Sequence, residues 1–214
     1  MNNSIIEVEN LKKTFQEEEV LKGITCGFEK GKTHAIIGNN GSGKSVFFKC
    51  ICGFIKPTQG HILVEGKEIG KDIDFPQNIG VIIERPGFLP NLSSYRNLQL
   101  LANLRKTVTE KEIREAIEKV GLNSSSKKAV SKYSMGMKQR LGIAQAIMED
   151  PDILILDEPF NGLDKEGVRE IRQIIVELKV AGKTIMLTSH NSEDIKLLAD
   201  EVWEMEAGRL EKMA

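Results

Sequence analysis

A chain of 214 residues is long enough to bury a true core and fits one domain with room for a subdomain. Its formal net charge of -1 provides no global basic field for nucleic acid or anionic lipid, and its 29% charged residues alternate in sign as solvated helix faces do. No apolar run approaches the roughly 20 residues that cross a bilayer, so any work at a membrane needs a separate membrane protein. The opening Met1-Asn2-Asn3-Ser4 shows neither a basic n-region nor an apolar h-region. Cys26, Cys50 and Cys52 form no C-x-x-C pair, which fits a reducing compartment and thiols used as small core residues. The chain reads as cytoplasmic.

In chain order, Ile5–Leu11 alternates as a strand does. Phe15 precedes the acidic turn Gln16–Glu19, after which Val20–Phe28 makes a second strand. The apolar Ala35-Ile36-Ile37 then runs into Gly38-Asn39-Asn40-Gly41-Ser42-Gly43-Lys44-Ser45, and Val46–Ile51 follows with the spacing of a buried helix. Turns at Pro57–Gly60 and Glu65–Lys67 bracket His61–Val64, which with the N-terminal strands predicts a small antiparallel sheet. Ile79–Ile83 is a buried strand leading to Glu84-Arg85-Pro86-Gly87.

From Pro86 to about Asp150 the pattern is helical. Leu98, Leu101 and Leu104 share one face, and Thr109 with Glu112 forms a capping box ahead of Ile113, Ala116, Ile117 and Val120. A third helix runs from near Ser134 to Met148. Beyond Pro151, Ile153–Leu156 suits a parallel strand buried on both faces. A helix over Lys165–Val180, a strand over Thr184–Thr188, a short helix from Ser192 and a last strand around Val202-Trp203 complete the chain. The fold class is α/β: a P-loop NTPase with a RecA-like parallel core, an N-terminal antiparallel β subdomain and an inserted helical subdomain. Residues 1–85 and 151–214 form the core with its β subdomain, and residues 86–150 form the insertion.

The glycine loop carries the chemistry. It reads G-x-x-x-x-G-K-S between a strand and a helix, the context a phosphate cradle requires. Gly38, Gly41 and Gly43 permit close backbone wrapping, and the amides of Asn39, Asn40 and Ser42 join a nest completed by the helix N-terminus. Lys44 provides a point charge for the β- and γ-phosphates, and Ser45 offers a hydroxyl to Mg²⁺. Asp157 and Glu158 end a core strand, where ligands of open α/β sheets bind. The first suits a metal shell and the second suits orienting or deprotonating water. His190 ends another strand and is either a hydrogen-bond donor to a γ-phosphate or a structural histidine.

Taken together, these motifs resemble the ATP-binding subunit of ABC transporters over nearly the whole chain. Tyr133-Ser134-Met135-Gly136-Met137-Lys138-Gln139-Arg140 looks like the family signature. It is followed in order by Asp157-Glu158, Asn161-Gly162-Leu163-Asp164 and His190. The resemblance implies that Phe15 stacks on adenine, that Asp157 holds the metal shell and that Glu158 is the catalytic carboxylate. It further implies that Ser134 and Gly136 contact the γ-phosphate of ATP on the opposite subunit of a head-to-tail pair, either a homodimer or a paralogue dimer.

Four positions depart from the family pattern. Met135 and Met137 replace a glycine and a glutamine, Asn161 replaces a serine, and Glu84 stands where a glutamine beside Mg²⁺ is usual. Glu84 as a third carboxylate near Asp157 and Glu158 predicts stronger metal attraction and a perturbed proton affinity. The combination looks like the branch exporting bacitracin and lantibiotic-type peptides. The implied activity is Mg²⁺-dependent ATP hydrolysis coupled to a separate permease at the cytoplasmic face. Two alternatives differ in class: a nucleotide-dependent clamp or assembly factor, and a regulator that binds ATP without hydrolysis. Intact Lys44, Asp157, Glu158 and His190 argue against the regulator; the absence of coiled-coil, DNA-reading or tandem segments argues against the clamp.

Overall fold

The computed structural model describes residues 4–213. Met1–Asn3, part of the segment read for a secretion signal, lie outside the described residues. The chain opens with a long hairpin, β1 (Ser4–Phe15) and β2 (Glu18–Glu29), followed by β3 (Thr33–Ile37) and α1 (Lys44–Ile51). Next come β4 (Gln59–Val64), β5 (Lys67–Glu68) and β6 (Ile79–Ile82). The helical stretch holds α2 (Ser94–Arg105), α3 (Glu110–Lys119), a 3₁₀ turn at Val130–Lys132 and α4 (Met135–Ile147). Alternation resumes with β7 (Ile153–Leu156), α5 (Lys165–Val180), β8 (Thr184–Leu187), α6 (Ser192–Leu198), β9 (Glu201–Glu206) and β10 (Arg209–Lys212).

Two sheets result. One is antiparallel with order β2-β1-β4-β5; the other has order β10-β9-β3-β8-β7-β6 and is parallel except for the β9–β10 edge. Side-chain alternation divides the core in two. Leu154, Leu156, Ile185 and Leu187 face the helical insertion and α5, while Ile153, Ile155 and Met186 face α1 and the antiparallel sheet. This explains why β7 and β8 are apolar at consecutive positions: both faces are covered.

The structure differs from the sequence expectations in three places. The first hairpin turns at Gln16-Glu17, so its strands are longer at both sides than the acidic run suggested. Of the three leucines that the sequence placed on one face of α2, only Leu98 is buried; Leu101 is 37% and Leu104 80% exposed. Three-residue steps fall 60° short of a full turn in a 3.6-residue helix, so the third leucine has rotated off the buried stripe, and Ser94, Asn97, Leu98 and Ala102 form that stripe instead. Finally, the chain does not end on the strand around Val202-Trp203, because β10 folds back on it through a turn with Ala207 and Gly208 at positive φ. Among the described residues no helix is long and apolar enough to cross a membrane.

Candidate nucleotide site

The loop Gly38–Gly43 joins β3 to α1 at the carboxyl end of the parallel sheet. Gly38 has φ 145°, and a Cβ there would lie 2.2 Å from the Met205 carbonyl oxygen of β9, so no side chain fits. Gly43 caps α1 at φ 113° without a side-chain hydrogen bond, leaving the first helical amides free for an anion. The β9–β10 turn braces the loop from behind, with Gly208 N–H donating to Ser42 O at 3.1 Å.

Lys44 is buried, and its ammonium donates to the carbonyls of Gly38 at 2.7 Å and Asn39 at 3.0 Å. Burial lowers its proton affinity, with the charges of Glu158 and Asp157 acting in the opposite sense. Asp157 continues β7 through N–H to Ile82 O at 2.7 Å, and is only 5% exposed. Its Oδ2 accepts from Ser45 Oγ at 2.6 Å and its Oδ1 from Thr188 Oγ1 at 2.8 Å. The same threonine hydroxyl accepts the Glu158 N–H at 2.8 Å, so one oxygen aligns both acids.

Glu158 sits at φ 50°, an uncommon conformation for a non-glycine residue, held by Thr188 on one side and by Gln139 Nε2 on its carbonyl at 3.2 Å. His190 Nε2 approaches Glu158 Oε1 to 3.1 Å without hydrogen-bond alignment, and that buried oxygen has no other partner. Burial pushes the Glu158 carboxyl up; Asp157 adds to the effect, while His190 and Lys44 oppose it. Around His190 the loop is fixed by Ser189 Oγ donating to Asp194 Oδ2 at 2.7 Å and Arg172 Nε to Asp194 Oδ1 at 2.6 Å.

These groups line one cavity of about 640 Å³. Lys44, Ser45, Glu84, Asp157, Glu158 and His190 meet there with Asn40 and Asn161, and Met135, Lys138 and Gln139 contribute from α4. Phe15, Ser134 and Gly136 lie outside it. Phe15 is exposed at the tip of the first hairpin, with Lys13 Nζ 4.8 Å from its ring centroid. Ser134 caps α4 by accepting from Met137 N–H at 3.2 Å. Gly136 packs so closely on Gly162 that a Cβ would lie 2.8 Å from its carbonyl oxygen, and Met135 covers Gly162 itself.

Glu84 corrects one expectation. It reaches the cavity, but its carboxylate is paired with Lys49 of α1 at 2.5 Å rather than gathered with the other two acids. Among the described residues, no group of three or more His, Cys, Asp or Glu side chains converges on a common point. The donor set nevertheless fits Mg²⁺, which takes one or two carboxylates with phosphate and water oxygens: Ser45 and Asp157 already share one hydrogen bond. Thr188 and Gln139 were not found from sequence. A threonine closing a buried apolar strand was the available signal for the first; a glutamine on a helix face offered none for the second.

The glycine cradle, the sheet order and the two acids at a strand's carboxyl end define a P-loop nucleotide-binding fold. Residues 21–161 match the ABC transporter family, and the chain belongs to that family. The ABC transporter ATP-binding protein YybJ of Bacillus subtilis (strain 168) is 45% identical, across 97% of this chain and 95% of that protein. The bacitracin transport ATP-binding protein BcrA of Enterococcus faecalis is 43% identical, across 96% and 68% respectively. The lantibiotic transport ATP-binding protein SrtF of Streptococcus pyogenes is 40% identical, across 96% and 89%. A solved ATP-binding subunit of an ABC transporter superposes with a TM-score of 0.87 at 28% identity, covering 99% of this chain and 90% of that one. The chain is an ATPase of this family.

Proposed function

We propose that the chain hydrolyses ATP to drive a membrane exporter of peptide antibiotics or related compounds, in resistance or immunity. The observation that carries this is the convergence of Lys44, Ser45, Asp157, Glu158 and His190 on one cavity at the sheet's carboxyl end. Lys44 and the α1 amides bind the phosphates. Ser45 and Asp157 hold Mg²⁺, which when bound neutralises phosphate charge. Glu158 orients and deprotonates the attacking water, and its raised proton affinity suits a base that must accept a proton. His190 donates to the γ-phosphate, and Phe15 carries the adenine on its exposed ring.

Ser134 and Gly136 stand outside their own chain's cavity, which supports their use across a head-to-tail dimer, homomeric or with a paralogue. The separate permease is assigned to a groove of about 480 Å³ containing the exposed Phe54, Phe75, Leu101 and Leu104. In this reading the chain works at the cytoplasmic face of the membrane. The names of the bacitracin and lantibiotic relatives support the substrate class. The test is co-purification with the native membrane partner and measurement of Mg²⁺-ATP turnover with bacitracin or a lantibiotic added. Stimulation by either peptide is expected; stimulation by neither, with intact basal turnover, would overturn the substrate class.

A further inference from the structure

The nucleotide cavity and the apolar groove are separated at one place by a single ion pair. Glu84 lines the cavity and Lys49 lines the groove, and their side chains meet at 2.5 Å. Each partner is anchored to the site from a different direction. Lys49 belongs to α1, the helix whose first two residues are Lys44 and Ser45. Glu84 follows β6, the neighbour of β7, which leads into Asp157, and it adopts φ 60°, a left-handed conformation that a non-glycine residue holds only where its surroundings enforce it. Among the described residues Glu84 is the only acid within ion-pair distance of Lys49.

We infer that Lys49 is a positioning residue that governs how readily Glu84 enters the Mg²⁺ shell. This rests on the proposed Mg²⁺ site at Ser45 and Asp157, whose cavity Glu84 also lines. An ammonium ion and a divalent cation compete for the same carboxylate: while Lys49 holds it, the metal must rely on Ser45, Asp157 and the phosphates. When Lys49 lets go, a second carboxylate becomes available, which remains within the one or two that Mg²⁺ accepts beside phosphate. Lys49 is also the member of the pair that faces the groove, so an occupant there that draws the lysine away releases Glu84 into the cavity.

The test measures metal affinity rather than turnover. Mn²⁺ binding to the full chain, in the presence of a non-hydrolysable ATP analogue, is followed by electron paramagnetic resonance in the wild type, Lys49→Gln, Lys49→Arg, Glu84→Gln and the Lys49→Gln/Glu84→Gln double variant. Removing the half-exposed competitor is expected to tighten Mn²⁺ binding in Lys49→Gln by about threefold, the range of a surface ion pair. Lys49→Arg should restore the wild-type value, and the double variant should match Glu84→Gln. Unchanged affinity in Lys49→Gln, or equal tightening in the Glu84→Gln background, would overturn the inference alone. No Mn²⁺–nucleotide binding by the wild type would sink the functional reading together with it.

Discussion

Each end of the parallel sheet carries a glutamate and a histidine in close approach, and the two pairs are opposites. At the amino end Glu201, which opens β9, accepts from Lys32 at 2.9 Å and lies 3.0 Å from Lys212, with His34 Nδ1 at 3.3 Å. Burial pushes the Glu201 carboxyl up, but the hydrogen bonds from Lys32 and Lys212 and the charge of His34 outweigh it and hold the group at about 2. At the carboxyl end Glu158 has His190 and Lys44 nearby, yet burial and Asp157 prevail and its proton affinity is raised. Surplus cations make Glu201 a permanent anion that ties three segments together. Deficient compensation leaves Glu158 able to take a proton, as a general base must.

The strongest way to break this contrast is to remove each carboxylate charge in turn. Glu158→Gln is expected to lower steady-state phosphate release by about 10²–10⁴-fold while nucleotide affinity stays near wild type. Glu201→Gln should leave turnover per folded molecule nearly unchanged. Comparable turnover losses in the two variants would mean that the ends of the sheet are not functionally distinct. Stability should show the reverse order. Glu201→Gln leaves Lys32 with Glu29 alone and removes the carboxylate beside Lys212, and is expected to lose about 1–2 kcal/mol, which lowers the calorimetric midpoint by about 3–8 °C.

The pH dependence of stability sharpens the comparison further. A carboxyl depressed to about 2 contributes stability that is complete above its unfolded value, near 4.5, and is lost as pH falls through about 2. His34 behaves differently. Burial lowers its proton affinity, with Glu29 O and Glu201 opposing, so its folded form is neutral and stability declines as pH drops below the unfolded value of about 6.5. Urea midpoints should therefore fall in two stages between pH 8 and 2. Glu201→Gln should shrink the lower stage, to which the depressed carboxyl of Asp200 also contributes, and keep the upper one; loss of the upper stage as well would assign it to Glu201.

What could be read from the sequence was whatever depends on chain neighbours. The glycine cradle, Lys44 and Ser45 form one contiguous loop, and Asp157-Glu158 directly follows an apolar strand, so local pattern sufficed to locate the chemistry. The order of strands and helices was legible for the same reason, with α5 found at Lys165–Val180 as its caps and periodicity predict. Contacts between remote segments were not legible. Ser45 and Asp157 are 112 positions apart, and Thr188 joins them from a third strand. Glu84 looked like a third metal-side acid because nothing in its neighbourhood indicated that Lys49 would claim it. β10 was missed because Arg209-Leu210-Glu211-Lys212 has one apolar residue, and its strand form comes from pairing with β9.

The smallest expected effect is also the one that separates the two glutamates by sign. A carboxyl whose proton affinity is raised on folding penalises the folded state above its folded value, and the penalty disappears as pH falls toward the unfolded value near 4.5. Neutralising Glu158 should thus stabilise the chain at pH 7–8, where neutralising Glu201 destabilises it. Glu158→Gln should raise the calorimetric midpoint by about 1–3 °C at pH 8, with the gain shrinking toward pH 5. Glutamine keeps the volume and an amide oxygen that can face His190, so the difference reports the charge rather than a packing defect. A midpoint lowered at pH 8 would place Glu158 in the same class as Glu201, as a carboxylate that holds the fold together, and would remove the physical basis for treating it as an under-compensated base.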